Sequence, residues 1–83
     1  MLKQVKKGNA GWKVQRLKIK IIKIVERATT PQTGWDVCQK IKPKNDANNI
    51  CRLMYMLCED GMLERVGYDE DDDSLYVLGS AAK

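Results

Sequence analysis

The sequence predicts an α+β fold, mainly helical, in which three helices are followed by a two-stranded β-hairpin. Three observations carry this. Apolar residues recur at steps of three and four as far as Gly61, and strand-like segments follow. Pro31, Pro43 and Gly61 punctuate the helical part into three pieces. The chain has 83 residues, which suits one small domain with a single core.

The elements follow in order. Residues 1–11, MLKQVKKGNAG, read as a flexible basic tail, because Gly8, Asn9 and Gly11 oppose regular structure and three lysines repel one another. The domain then spans residues 12–79. From Trp12 to Ala28, Val14, Leu17, Ile21, Ile24 and Ala28 mark one helical face, with Val25 on its flank. The run LKIKIIKIV is β-branched, but the segment is too long for an ordinary strand. Ile19, Ile22 and Trp12 fall outside that face. Thr33 is placed to cap a short helix over Gly34 to Ile41, with Asp36 completing a capping box. Trp35, Cys38 and Ile41 are expected to face inward on it. Asn45 or Asp46 caps a third helix running to about Asp60, with Ala47, Ile50, Leu53, Met54 and Leu57 as its apolar stripe. Met62 to Tyr68 and Ser74 to Leu78 pair as the hairpin around Asp69–Asp73, and residues 80–83 read as a frayed end.

Composition narrows the function classes. No stretch is long and apolar enough to span a membrane, and the N-terminus lacks the pattern of a secretory signal. Three cysteines do not close a disulfide framework, and the absence of histidine excludes histidine-based catalysis and zinc sites. A reduced, cytoplasmic domain is expected. The acids cluster on one turn, no Gly-rich loop cradles phosphate, and no nucleophile has a visible base, so an enzyme is not expected. Cys38, Cys51 and Cys58 lack metal-ligand spacing and read as core filler. No cofactor is implied.

Charge is the informative property. Residues 1–44 hold twelve Lys/Arg and two acids, a net of +10, whereas residues 45–83 hold three Lys/Arg and nine acids, a net of −6. Lys13, Arg16, Lys20, Lys23 and Arg27 step by three and four along the first helix, forming one basic stripe. Such like charges oppose one another, and a polyanion would relieve them.

Helix, short helix, turn, longer helix ending in glycine, then hairpin: this succession resembles the winged helix-turn-helix superfamily over residues 12–78. The stretch ICRLMYMLCEDGMLERV looks like the end of a recognition helix passing into the first wing strand. It is similar to small bacterial, archaeal and phage repressors such as the multiple-antibiotic-resistance type. TTPQTGWDVCQKI looks like the short loop strand and second helix of such proteins.

The resemblance implies a small transcriptional regulator that binds double-stranded DNA with its third helix in the major groove. Read at 100° per residue, Asn45, Asn48, Asn49, Arg52 and Met56 point away from the apolar stripe, with Tyr55 and Glu59 at the edges; the asparagines and Arg52 can bond adenine and guanine edges. They are the candidate base readers. Lys40, Lys42, Lys44, Lys13, Arg16 and Lys20 are the candidate phosphate contacts, joined at the turn by the third helix's own N–H groups. The rotation of the first helix, and so the placement of its stripe, is open from sequence.

The hairpin tip departs from the family pattern. Asp69, Glu70, Asp71, Asp72 and Asp73 stand where related regulators often carry Arg or Lys. The alternative function is therefore a protein–protein module using this acidic wing to hold a basic partner. Asp69, Asp71 and Asp73 share the odd spacing that opens a calcium loop, but Ser74 replaces its glycine and Ser80 its glutamate, so no metal site is assigned. A membrane-surface role for the basic amphipathic first helix is set aside because that helix fits a three-helix core. A homodimer would use Ile19 and Ile22, or the N-terminal tail.

Overall fold

A computed structural model describes the backbone of residues 2–41 and 44–82, with side chains described for residues 13–41 and 44–82. The expected fold class is present. Helices α1 (Leu2–Arg27), α2 (Gly34–Lys40) and α3 (Ala47–Glu59) precede strands β1 (Leu63–Tyr68) and β2 (Ser74–Leu78), and a 3-10 turn follows at Ser80–Ala82. This is a winged-helix-like layout. The strands form one antiparallel pair, and Gln32 adds an isolated antiparallel bridge to Tyr76. The Gln32 N–H donates to the Tyr76 carbonyl at 2.9 Å, and the Tyr76 N–H returns a bond at 2.8 Å. The loop strand expected within TTPQT is thus a single bridged residue.

The core lies where the three helices meet the hairpin. Ile21 and Val25 of α1, Val37 and Ile41 around α2, Ile50, Leu53, Met54 and Leu57 of α3, and Leu63 and Tyr76 of the hairpin are buried together. Local chemistry fixes the ends of the elements. Thr33 accepts from the Asp36 N–H while Asp36 accepts from the Thr33 N–H, a complete capping box. Asp46, rather than Asn45, caps α3 by accepting from the Asn48 N–H. At the other end Gly61, with φ of 82°, lets Met62 N–H reach the Leu57 carbonyl and its own N–H reach Cys58. That is a Schellman closure, which needs a left-handed residue.

Several expectations are corrected. The segment read as a tail is helical, so α1 runs for 26 residues from Leu2. Two glycines there cost about 1 kcal/mol each relative to alanine, but no proline interrupts a run of good helix formers. The end read as frayed is held by the Ala81 N–H on the Gly61 carbonyl at 3.1 Å. Trp35 is 54% exposed rather than inward. Gly34 and Val37 take the buried face of α2 instead. A Cβ at Gly34 would collide with Cys51 Sγ, so α2 meets α3 at backbone distance there and turns its neighbour Trp35 outward. Val14, placed on the apolar face of α1, is 41% exposed. Ile22, placed outside that face, packs partly buried against the core.

Candidate nucleic-acid interface

Helix α3 presents Asn48, Arg52, Tyr55, Met56 and Glu59 to solvent, the side opposite its buried stripe. Three of the four expected base readers form a hydrogen-bonded row. Asn49 Nδ2 donates to Asn45 Oδ1 at 3.1 Å, and Arg52 donates through an Nη to Asn49 Oδ1 at 3.0 Å. Asn45 Oδ1 also accepts from the Asp46 N–H at 2.9 Å. Asn45 and Asn49 are half-buried, so this row is ordered along the flank of the helix. Asn48 is exposed on the outermost line, with only its backbone N–H engaged by the cap.

The rotation of α1 is resolved. Lys13, Arg16 and Lys20, with Val14 and Leu17, face Asn45, Asn49, Arg52 and Leu53 across a groove of about 460 Å³. The basic stripe and the row of amides therefore line one depression. A second hollow, of about 190 Å³, continues the stripe, bringing Lys20, Lys23, Ile24 and Arg27 against Lys40 and Ile41 of the α2 end. Lys40 also donates from Nζ to the buried Gln32 Oε1 at 2.7 Å, so it ties α2 to the bridged segment. An ammonium has three donors, so this bond does not exhaust it. Lys44 is exposed in the turn, and Lys42 lies outside the described residues. The α3 N-terminus differs from its expected role as a phosphate seat. The Asp46 carboxylate already occupies it, which sets a negative charge where an anion would sit.

The hairpin lies on the other flank of α3. Asp69 Oδ1 accepts from the Asp71 and Asp73 N–H groups, each at 2.9 Å, and Asp72 adopts a left-handed φ of 64°. Glu70, Asp71 and Asp72 are exposed. The carboxylates of Asp69, Asp71 and Asp73 gather within 4.8 Å of one another. Asp73 has its pKa raised, first by partial withdrawal from water and then by the charges of Asp69, Asp71 and Asp72. The Cys51 thiol is pushed up by burial, and next by the charge of Asp73. Cys38 Sγ donates to the Asn45 carbonyl at 3.1 Å, so this cysteine braces the turn before α3.

Two features were not singled out from sequence. The Arg65 guanidinium lies 5.3 Å from the centre of the Tyr68 ring. Residues three apart in a regular strand lie on opposite faces, but the pairing register slips between Arg65 and Gly67, and that bulge puts both on one face. Gly67, a glycine inside the strand, is the residue type that signals such a bulge. The other is Tyr55, which the helical period sets at the edge of the outer face, beside Asn48 and Arg52; it is exposed on α3, and its pKa is raised chiefly by the Glu59 carboxylate one turn on. Of the two residues expected at a dimer contact, Ile19 is exposed and Ile22 is packed inward.

Comparison with protein-family models, with curated proteins and with solved structures gives no match. The class is therefore defined by the chain itself, as an α+β domain of winged-helix-like layout. Among its described residues no helix is long and apolar enough to cross a membrane.

Proposed function

We propose that this protein binds double-stranded DNA through α3 and acts as a small transcriptional regulator. One observation carries the reading: Lys13, Arg16 and Lys20 of α1 share a groove with Asn45, Asn49 and Arg52 of α3. Cations that hold phosphate and side chains that read base edges are useful to one ligand only when they stand together. At about 1.5 Å per residue, α3 is roughly 20 Å long, enough to lie in a major groove about 12 Å wide.

In this reading Arg52 and Asn48 address base edges from the outer line of α3. Asn49 orients Arg52 through its hydrogen bond, so less side-chain freedom is lost on binding. Lys13, Arg16 and Lys20 hold the backbone beside the groove and carry no sequence information. Asn45, tied to Asn49 and to the Asp46 N–H, acts here as a support of the row more than as a reader.

The test is a competition titration of the protein and its Arg52→Ala variant against a panel of duplexes. Arg52→Ala is expected to cost about 1–3 kcal/mol and to relax preference at one base pair. An equal loss on every sequence would make Arg52 a phosphate contact. No binding by the unaltered protein, even at low salt, would overturn the reading and direct attention to the acidic hairpin as a site for a basic protein.

A further inference from the structure

We infer that the bound duplex lies along α1, on the Lys13-to-Arg27 side of α3, and that the hairpin stays out of its grooves. This rests on the DNA-binding reading above and extends it to residues beyond the α3 groove. Two hollows meet at Lys20. One joins Lys13, Arg16 and Lys20 to Arg52, and the other joins Lys20, Lys23 and Arg27 to Lys40. None of the residues lining either hollow is acidic. The track from residue 13 to residue 27 is about 21 Å long at ~1.5 Å per helical residue. That length faces roughly six phosphates of one strand, spaced about 3.4 Å along the duplex axis.

The other two places where a duplex could rest its backbone are negative. Asp46 fills the α3 N-terminus, and Asp69 to Asp73 form the hairpin tip. Tyr55 and Cys58, on the flank of α3 turned away from the α1 groove, share a hollow with Glu64, Arg65 and Tyr76 of the hairpin. The α3 surface thus stands between a positive and a negative border. A polyanion approaching α3 is drawn toward α1 and pushed from the hairpin, so the field fixes both the tilt and the direction of docking. The acidic tip is an electrostatic fence, and the duplex is the occupant whose charge fits the opposite border.

The experiment measures affinity for a mixed-sequence duplex by fluorescence anisotropy across a salt series. Three proteins are compared: the unaltered chain, Lys23→Gln/Arg27→Gln, and Glu70→Gln/Asp71→Asn/Asp72→Asn. The altered residues are all exposed, and asparagine accepts the left-handed backbone of Asp72. Circular dichroism checks that each variant is folded. The α1 variant is expected to lower the slope of log affinity against log salt by about 2, which shrinks the loss between 50 and 200 mM salt by roughly tenfold. The hairpin variant is expected to bind a few-fold tighter. Binding that persists with an unchanged slope in the α1 variant, or that weakens in the hairpin variant, overturns the docking geometry while leaving DNA binding in place. Absence of duplex binding by the unaltered chain overturns both.

Discussion

One carboxylate organises the hairpin tip and the others burden it. Asp69 turns an oxygen toward two backbone N–H groups, which holds the turn, whereas the Asp73 carboxyl is partly withdrawn from water and set beside like charges. A carboxyl whose pKa is raised on folding makes the folded state the better proton binder, so stability falls as pH rises through that range. Asp73→Asn is therefore expected to raise the urea midpoint near pH 7 and to change it little near pH 3, where the Asp73 carboxyl is mostly protonated in both states. Urea melts at the two pH values check this, and an equal gain at both would assign the effect to packing. At this scale the sequence was readable where helical period alone decides. The stripe from Lys13 to Arg27 and the outward line of Asn48 and Arg52 follow from it. Partners supplied by another element were not readable. Lys40 bonds Gln32 of the bridged segment before α2, and within β1 itself Arg65 meets Tyr68 only through a bulge.

Among the elements, α2 shows most clearly how local chemistry substitutes for length. Seven residues are too few to sustain an isolated helix, so its ends and its packing must hold it. Thr33 is buried and makes half of the capping box, so Thr33→Ala is expected to destabilise the domain by about 1–2 kcal/mol, and Thr33→Ser to restore most of that. Denaturant unfolding of both variants measures the difference, and equal losses would make the methyl group, not the cap, the cause. Helix and strand boundaries were legible because caps and stops are chemical signals: Thr33 with Asp36, Asp46, and Gly61 with its closure. The inward face of α2 was not. Trp35, Cys38 and Ile41 and the competing set Gly34, Val37 and Ile41 both satisfy a helical period. Choosing between them requires knowing that the α2 backbone touches Cys51. The start of α1 is hidden from the sequence for a related reason, since glycine weighs against helix in any local reading without forbidding it.

For the molecule as a whole, the +10 and −6 halves of the sequence become two sides of one surface. Chain order alone did not require this. The basic half reaches the α3 surface because α1 packs along one flank of it, and the acidic half reaches the other flank because the hairpin folds back against Tyr55 and Cys58 there. The envelope is 47 × 26 × 20 Å, elongated in keeping with a 26-residue helix. Charge segregation was legible in the sequence, whereas its division across α3 depended on the rotation of α1, which periodicity leaves open.

The bridge between Gln32 and Tyr76 also has a kinetic side. It joins positions 32 and 76, so closing it requires ordering the chain across α2, α3 and the hairpin. Helical turns form through near neighbours, and contacts between distant positions carry the entropy of the loop they close. The helices are thus expected to assemble early and the hairpin to dock late. Gly79 belongs to that late step, because a Cβ there would strike the Gly61 carbonyl and the Leu63 backbone. Gly79→Ala should then speed unfolding while leaving the refolding rate nearly unchanged, as a stopped-flow chevron would read. The closure that pins the end of β2 would in that case govern how long a folded molecule lasts, with little say in how quickly one forms.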